Sequence, residues 1–272
     1  MLASGDCLVL AAGDVRVVVD VAAGGRLSSL IVGDSELIWS GPDGGGDSDP
    51  MVWGLYPMVP FAGRILRGEF TFGGVDYALP QNHEGNAIHG FGFLSPWTRV
   101  DDTSISFEFV DPWPFAGRVT QRYELSAERL TLEMTVEADD EQPMGIGWHP
   151  WFRHSTAAGT AELRVPALSM YERDAQGMPG DLIAAPPGPW DDCFTNLTDV
   201  PSITWGDLMV RLDSNLDHWT VFNERDYGFC IEPQSGPPNE INHNPRVLSA
   251  GETMTASFTL TFVRRINSET IL

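Results

Sequence analysis

Short runs of alternating apolar and polar residues constrain the fold of this chain more than any other feature. The clearest run is Arg129–Glu137 (RLTLEMTVE), and a longer one covers Glu252–Val263. A period of two puts successive side chains on opposite faces of a strand, so each run predicts a half-buried β-strand. The sequence has no amphipathic helix longer than two turns and no internal repeat, which predicts an all-β sandwich or barrel.

Further runs with strand character are separated by glycine, proline and aspartate, the residues typical of turns. One hairpin is predicted from Val15–Val21 to Arg26–Val32, and another over Glu69–Tyr77 with Gly73-Gly74 at its turn. Gly41–Pro50 (GPDGGGDSDP) is interpreted as a surface connection. No linker is evident, so residues 1–272 are predicted to form one domain. The other predicted strands are Ile105–Val110, Arg118–Leu125, Leu208–Leu212, His218–Phe222 and Tyr227–Ile231.

The charge balance argues against two classes of partner. The chain has 16 lysines and arginines against 38 aspartates and glutamates, giving a formal net charge of −22. Such an acidic chain repels phosphate backbones and anionic bilayers, so neither a nucleic acid nor a membrane is expected as partner. No run reaches the ~18 apolar residues of a membrane helix. Met1–Asp6 lacks the pattern of a signal peptide, and a cytoplasmic protein is therefore expected.

Gly145–Arg153 (GIGWHPWFR) places His149 among glycines and aromatic rings. Because proline lacks an N–H group, we expect the strand to end at Pro150, with His149 at its end. Such a histidine could bind a polar ligand with apolar faces, such as a sugar ring, or could simply fill a core. The candidate walls of such a site are Trp148, Trp151 and Phe152.

Four other residues stand in settings that favour function. His89 lies in Asn86–Phe93 (NAIHGFGF), which again combines glycines with aromatic residues. Arg64 lies in an otherwise apolar loop, where it either pairs with a carboxylate or points into a cavity. Glu232 follows the apolar run GFCI, and burial there would make its carboxylate more basic. Asp191 stands beside Asp192 between two aromatic residues, as a ligand contact or as a solvated turn residue.

Acid–base chemistry is the reaction type that these residues favour, since imidazole and carboxyl groups can exchange protons with a bound ligand. The sequence has no HxH or CxxC pair, and its three cysteines are widely spaced, so neither a metal site nor a disulfide framework is predicted. It also lacks a glycine-rich phosphate loop and the GxSxG motif of hydrolases.

Five motifs, taken in order, resemble the aldose 1-epimerase (galactose mutarotase) family. The resemblance implies a large antiparallel β-supersandwich. It also implies an enzyme without cofactor or metal that interconverts the α and β anomers of a hexose by opening and closing the ring. The motifs are Pro60–Ile65 (PFAGRI), Asn86–Gly90 (NAIHG), Trp148–Phe152 (WHPWF), Asp191–Phe194 (DDCF) and Cys230–Gln234 (CIEPQ).

The resemblance also implies a role for each matching residue. Glu232 corresponds to the general base that takes the proton of the anomeric hydroxyl group, and His149 to the general acid that protonates the ring oxygen. His89 corresponds to a second histidine that binds the substrate and polarises the ring oxygen. The residues expected to bind substrate are Arg64, Asp191 (with Asp192 as the less favoured choice), Asn86 and Trp148.

Two positions depart from the family pattern, since Trp151 stands where tyrosine is common and Arg153 where asparagine is common. Some members act on phosphorylated hexoses, and Arg67 or Arg153 could serve a phosphate here. The expected partner is a small-molecule sugar, and the expected assembly is a monomer or homodimer.

Other hypotheses remain open from the sequence. The first is a carbohydrate-binding or regulatory protein without catalysis, and the second a hexose-phosphate 1-epimerase. The third is a glycoside hydrolase that uses Glu232 and Asp191 as its carboxyl pair, and the fourth a cupin-like metal enzyme.

Overall fold

The structure is a computed structural model that describes residues 7–42, 44–47 and 49–264. The sequence prediction for Met1–Asp6, and positions 43 and 48 of the Gly41–Pro50 segment, lie outside the described residues. None of the helices in the described ranges has the length and hydropathy needed to cross a membrane.

Strands make up nearly all of the regular structure, which confirms the predicted all-β class. Within the described residues, the helical segments are two 3-10 turns, Leu66–Gly68 and Gly92–Leu94, and one α-helical turn, Glu240–His243. In chain order the strands are β1 Cys7–Ala12, β2 Val15–Asp20, β3 Arg26–Val32, β4 Ser35–Glu36, β5 Leu55–Met58, β6 Arg64–Ile65, β7 Glu69–Phe72, β8 Val75–Ala78, β9 Ala87–Ile88, β10 Thr98–Arg99, β11 Ser104–Glu108, β12 Gly117–Leu125, β13 Arg129–Ala138, β14 Gln142–Met144, β15 Gly147–Arg153, β16 Ser155–Thr156, β17 Gly159–Arg164, β18 Ala167–Arg173, β19 Pro179–Ile183, β20 Asp191–Leu197, β21 Ser202–Trp205, β22 Leu208–Ser214, β23 His218–Phe222, β24 Gly228–Gln234, β25 Arg246–Leu248 and β26 Thr253–Arg264.

Two large sheets contain most of these strands, and all their pairings are antiparallel. The first sheet has 11 strands in the order β1-β2-β3-β5-β15-β24-β23-β20-β18-β19, with β4 added beside β3. The second has nine, in the order β10-β11-β12-β13-β26-β22-β21-β17-β16. The described residues also form three two-stranded ribbons, β6-β9, β7-β8 and β14-β25.

The two sheets pack face to face, because the apolar sides of their strands share one core. The alternating run predicted at Arg129–Glu137 pairs along its whole length with β26, and its apolar residues are buried. Trp148 of the first sheet meets Phe258 of the second, with ring centroids 5.9 Å apart. This arrangement is the predicted β-sandwich.

The strand around His149 does not end at Pro150, so that prediction was wrong. β15 continues to Arg153, and β24 likewise continues through Glu232 to Gln234. Proline fits an extended backbone, and the only loss is one donor to a neighbouring strand. The pairing of β15 with β24 is accordingly interrupted between Gly147 and Trp151, the stretch that contains Pro150.

A fully buried arginine fixes the segment that connects β4 to β5. Arg26 is 1% exposed, and its guanidinium donates hydrogen bonds to the carbonyl oxygens of Ala23, Pro50, Trp53 and Phe93 at 2.6–2.9 Å. Burial lowers the pKa of Arg26 to about 10. Arg26 therefore ties residues 50–53 to the first sheet, next to β5 and β15.

Candidate active site

Strand alternation decides which aromatic residues of Gly147–Arg153 face a ligand. His149 and Trp151 lie on one face of the first sheet, and both line a cavity. Trp148 and Phe152 lie on the opposite face and belong to the core between the sheets. The site is therefore built on the outer face of the first sheet.

His149 and Glu232 occupy facing positions on neighbouring strands. On β15 and β24, Gly147 pairs with Gln234 and Trp151 pairs with Cys230. The residues midway between these two pairs are His149 and Glu232, which therefore lie opposite each other. Facing side chains of an antiparallel pair lie on the same side and close together. The Nε2 atom of His149 is 3.2 Å from Oε1 of Glu232. Both residues are buried, with exposures of 7% and 2%.

The imidazole of His149 is held between two aromatic rings. Tyr56, on β5, pairs with His149. Its ring stacks on the imidazole with ring centroids 4.6 Å apart and an interplanar angle of 18°. Trp151 stacks on it at 5.7 Å and 28°. Rings packed in this way fix the plane of the imidazole, and with it the direction of Nε2.

His89 reaches the same point from a loop rather than from a strand. It follows β9 with a backbone φ of 62°, and its N–H group donates to Gly63 O at 3.0 Å. Its ring lies 4.9 Å from that of His149 at an angle of 81°. A side chain on Gly90, the next residue, would lie 2.2 Å from Val59 O, so only glycine allows this close approach.

Arg64 and Asp191 form the polar side of the cavity. The Nη2 atom of Arg64 is 3.9 Å from Asp191 Oδ2 and 3.6 Å from Glu84 Oε2. Arg173 also binds the carboxylate of Asp191 and approaches Asp192 at 3.7 Å. Asp191 lines the cavity, whereas Asp192 faces a separate small pocket beside Arg173.

The cavity has a volume of about 270 Å³, which suits a small molecule. One side of it is polar and the other largely apolar. The polar side includes Arg64, His89, Asp191 and Glu232. The apolar side includes Met51, Val52, Trp151 and Phe222.

Burial dominates the electrostatics of the three central groups. It raises the pKa of Glu232 well above its ordinary value, with Asp191 adding to the rise. It lowers the pKa of His149 to about 3, and it also lowers that of His89, which nearby His149 depresses further. Both imidazoles are therefore neutral at physiological pH, and Glu232 is an unusually strong base when ionised.

Several buried polar atoms here have no hydrogen-bond partner within the described residues. They are Nδ1 of His89, Nδ1 of His149 and Oε2 of Glu232. Buried polar atoms are nearly always paired, so an orphaned set in one cavity indicates a polar ligand.

The same three residues could also hold a metal ion. The ligand atoms of His89, His149 and Glu232 all lie within 4.8 Å of one another. Two histidines and a carboxylate are a donor set that zinc accepts. The metal-enzyme hypothesis therefore predicts these three residues as its ligands.

Two predicted substrate-binding residues do not line the cavity. Trp148 is fully buried between the sheets, where its Nε1 donates to Gln121 Oε1 at 2.7 Å. Asn86 is also buried, and its Oδ1 accepts a hydrogen bond from the backbone of Arg67 at 2.9 Å. Trp148 was misplaced because its strand continues past Pro150, which sends alternate side chains into the core.

The two arginines proposed for a phosphate also lie elsewhere. Arg67 is exposed and pairs with Glu69 at 3.1 Å. Arg153 donates from Nε to Ile38 O at 3.0 Å and lies over the ring of Trp39. Neither lines the cavity.

Sequence reasoning missed several residues that do line it. They include His83 and also Asp49, which belongs to the segment interpreted as a surface connection. Met51, Val52 and Phe222 carry no motif of their own. The only sequence signal was that the residues after the glycine-rich loop are apolar. Such residues are expected to pack, but the sequence does not show what they pack against.

Fold and site together define a galactose mutarotase-like β-sandwich with a buried histidine–glutamate pair in its cavity. A galactose mutarotase-like protein from Clostridium acetobutylicum has the same fold, with a TM-score of 0.81, 21% identity and 95% of each chain covered. A galactose 1-epimerase from Lactobacillus acidophilus matches with a TM-score of 0.77 and 15% identity over 92% of each chain.

Sequence comparison gives the family. The sequence model of the aldose 1-epimerase family matches residues 6–261, and the chain belongs to that family. The uncharacterized protein YphB of Escherichia coli is 25% identical over 75% of this chain and 82% of its own length. Mouse galactose mutarotase is 30% identical over 138 residues, which cover 47% of this chain and 38% of the mouse protein.

Proposed function

We propose that the protein is a cofactor-independent aldose 1-epimerase that interconverts the α and β anomers of a free aldose. The observation that carries the proposal is the 3.2 Å separation of His149 Nε2 and Glu232 Oε1 on facing strand positions. The anomeric hydroxyl and the ring oxygen of an aldose are bonded to the same carbon. Their acid and base must therefore lie side by side, as these two atoms do.

The reaction needs two proton transfers and no other reagent. Glu232 takes the proton of the anomeric hydroxyl group while His149 gives a proton to the ring oxygen. The bond from C1 to the ring oxygen breaks, and C1 becomes an aldehyde carbon. The open chain turns about its C1–C2 bond, and the reverse transfers close the ring on the other face. His89, 4.9 Å from His149 between ring centroids, can donate to the ring oxygen.

One proton, held by either Glu232 or His149, is enough for each cycle of ring opening and closure. The raised pKa of Glu232 and the lowered pKa of His149 favour the state with that proton on the carboxyl group. The state with an imidazolium and a carboxylate has the same number of protons, so the two states exchange without solvent. Because one group gives a proton while the other accepts one, closure restores the pair.

The surroundings of Asp191 disfavour the glycoside hydrolase hypothesis. Asp191 is bound to Arg173 and lies near Arg64, so it is already engaged by two cations. A hydrolase would also leave the histidines peripheral, whereas both line the cavity and His149 lies 3.2 Å from Glu232. The hypothesis of a binder without catalysis gives no reason for a buried acid–base pair.

We expect a free sugar as partner, a cytoplasmic setting, and a monomer or homodimer.

Measured mutarotation tests the proposal directly. Freshly dissolved α-galactose and α-glucose are followed by polarimetry or NMR with and without protein. We expect the wild-type protein to exceed the buffer rate on at least one aldose. Glu232→Gln and His149→Asn are each expected to lose about 100-fold to 10,000-fold in kcat/KM, because each loses a proton-transfer group.

A matched control separates loss of chemistry from loss of structure. Glu224→Gln makes the same change of carboxylate to amide at the edge of the cavity, and we expect it to keep substantial activity. Circular dichroism should show all variants folded. Wild-type turnover in Glu232→Gln would rule out the mechanism, and a buffer rate on every aldose would rule out the function.

A further inference from the structure

Gln234 is a fully buried glutamine that lines the cavity, with an exposure of 0%. It lies on β24 two residues after Glu232, so both side chains project from the same face of the first sheet. Sequence analysis included it in the fifth motif and assigned it no role. A buried amide needs partners for both its nitrogen and its oxygen, so its contacts indicate what it does.

The amide of Gln234 is held at one end only. Its Nε2 atom donates to Thr220 Oγ1 at 2.5 Å and to Cys193 Sγ at 3.6 Å. Its Oε1 atom is buried and has no hydrogen-bond partner among the residues that the structure describes. Such an oxygen destabilises the cavity unless a bound molecule supplies the missing donor.

Two other glutamines of the described chain are also 0% exposed, and both are paired at each end. Gln121 Oε1 accepts from Trp148 Nε1 at 2.7 Å, and Gln142 Oε1 accepts from Trp113 Nε1 at 2.9 Å. The amide nitrogen of each also donates a hydrogen bond. Neither glutamine lines the cavity. Gln234 thus differs from the buried glutamines that serve only the core.

The register of β23 and β24 places the amide of Gln234 beside Glu232. Gln234 faces His218 on β23, whereas Thr220, which holds the amide, faces Glu232. The side chain of Gln234 therefore leans along β24 towards the position of Glu232. A sugar whose anomeric hydroxyl group contacts Glu232 then also lies against this amide, a step that rests on the proposed function.

We propose that Gln234 is a substrate-binding residue whose Oε1 atom accepts a hydrogen bond from a hydroxyl group of the sugar, and that Thr220 positions it. Thr220 has this role because its Oγ1 atom fixes the amide nitrogen and leaves the oxygen for the ligand. Gln234 thereby selects ligands that carry a hydroxyl group at one position of the sugar. A deoxy sugar without that group leaves the buried oxygen unpaired and binds more weakly.

Binding of a deoxy series tests the proposal without relying on turnover. The probes are galactose, glucose and the analogues of each that lack one hydroxyl group, with the 1,5-anhydro sugar for the anomeric position. Dissociation constants are measured by NMR titration for the wild-type protein and for Gln234→Met, which keeps the chain length and removes both polar ends. We expect the variant to bind the parent hexose about tenfold more weakly. For the analogue that lacks the partner hydroxyl group, the two proteins should agree within about twofold.

Variants of Thr220 test the positioning role. Thr220→Val removes the acceptor of the amide nitrogen at nearly constant shape, and should weaken binding of the parent hexose by about threefold or more while sparing the same analogue. Thr220→Ser keeps the hydroxyl group and should recover most of the binding that Thr220→Val loses.

Gln142→Met is the matched control, because it makes the same change at a fully paired glutamine outside the cavity. It should lower stability and leave the ratios between the dissociation constants unchanged. If it does not fold, Gln81→Met at an exposed position takes its place.

The outcomes separate this proposal from the proposed function. An equal loss of affinity for the parent hexose and for every analogue would show that Gln234 is structural, and it overturns the proposal. Unchanged affinity of Gln234→Met for the parent hexose overturns it as well. A wild-type protein that binds these sugars without accelerating mutarotation overturns the function and leaves the binding role of Gln234 to the deoxy series. A wild-type protein that binds none of the sugars overturns both.

Discussion

His149 lies between the rings of Tyr56 and Trp151, with its Nε2 atom 3.2 Å from Glu232. At the scale of single residues, this packing sets the chemistry. Burial removes water from both groups, which lowers the pKa of the histidine to about 3 and raises that of the glutamate. A solvated glutamate would be ionised at physiological pH, whereas burial here favours a protonated carboxyl group beside a neutral imidazole.

The pH profile should reveal the proton held by this pair. Neither imidazole gains a proton as pH falls from about 7 to about 5, so kcat/KM should not fall over that range. It should fall on the alkaline side, when pH passes the raised pKa of Glu232 and the pair loses its proton. Rates corrected for buffer catalysis test this expectation. An acid limb with a midpoint near the ordinary histidine value, about 6.5, would contradict it.

Metal removal decides between acid–base and metal chemistry at His89, His149 and Glu232. We expect full activity after dialysis against EDTA, because proton transfer needs only these side chains. Added Zn²⁺ should inhibit, since it would take the same three ligand atoms, which lie within 4.8 Å of one another. Loss of activity with the chelator and recovery with metal would favour the metal enzyme instead.

At the scale of elements, the site depends on one interrupted strand pair. β15 and β24 are paired where Gly147 faces Gln234, and again from the point where Trp151 faces Cys230. His149 and Glu232 lie in the interval between these two points. Pro150 lies in the interval, and so does Pro233 on the partner strand, and neither can donate to a ladder. The prolines thus mark the stretch where the backbone ladder opens and the side chains of His149 and Glu232 face each other.

Gly147 should be the most sensitive position at this opening. A Cβ atom there would lie 2.6 Å from Pro233 O and 2.8 Å from Met58 Cε, and the backbone oxygen cannot move aside easily. We expect Gly147→Ala to lower the free energy of unfolding by roughly 1–3 kcal/mol and to reduce kcat/KM by spreading the pair. Urea unfolding and mutarotation rates provide the measurements.

Gly145→Ala is the matched control for this change. Its nearest atoms would lie at 3.4 Å, an ordinary contact, so we expect nearly wild-type stability and activity. Equal effects of the two alanines would show that the close approach at Gly147 is unimportant.

At the scale of the whole molecule, the cavity is assembled from distant parts of the chain. Residues 49–52, strand β6 with Arg64, the loop with His89 and strands β15, β20 and β24 all contribute. Arg26 joins residues 49–52 to the sheet, because its guanidinium group binds the carbonyl oxygens of Ala23, Pro50, Trp53 and Phe93. A lysine has no planar fork with which to reach four acceptors.

Arg26→Lys should therefore weaken the whole assembly. We expect a loss of at least about 2 kcal/mol in the free energy of unfolding, because buried carbonyl groups lose their donors. Cleavage by proteases within residues 41–50 should become faster, since Arg26 no longer holds Pro50. Arg16→Lys, at an exposed position on β2, is the control. Unchanged stability and protease resistance in Arg26→Lys would contradict the role of Arg26 as a clamp.

The sequence by itself determined several strands and named residues that meet in the cavity. Alternation gave β13 and β26 nearly to the residue, and His218–Phe222 is the observed β23. The motifs gave the family and named His149, His89 and Glu232, because a reaction needs particular functional groups. Arg64 and Asp191 line the same cavity as these three residues.

Only the tertiary structure decided which neighbours surround those groups. Sequence reasoning ended the strand at Pro150, so it could not use alternation to send Trp148 into the core and Trp151 into the cavity. It also could not bring residues 49–51 to the site, because the carbonyl oxygens of Met51 and Pro50 accept hydrogen bonds from Trp151 and Arg26, which are distant in the chain. The local sequence pattern encodes the strand period and the functional groups of the side chains. Burial, strand register and the pairing of facing residues arise only when the sheet forms.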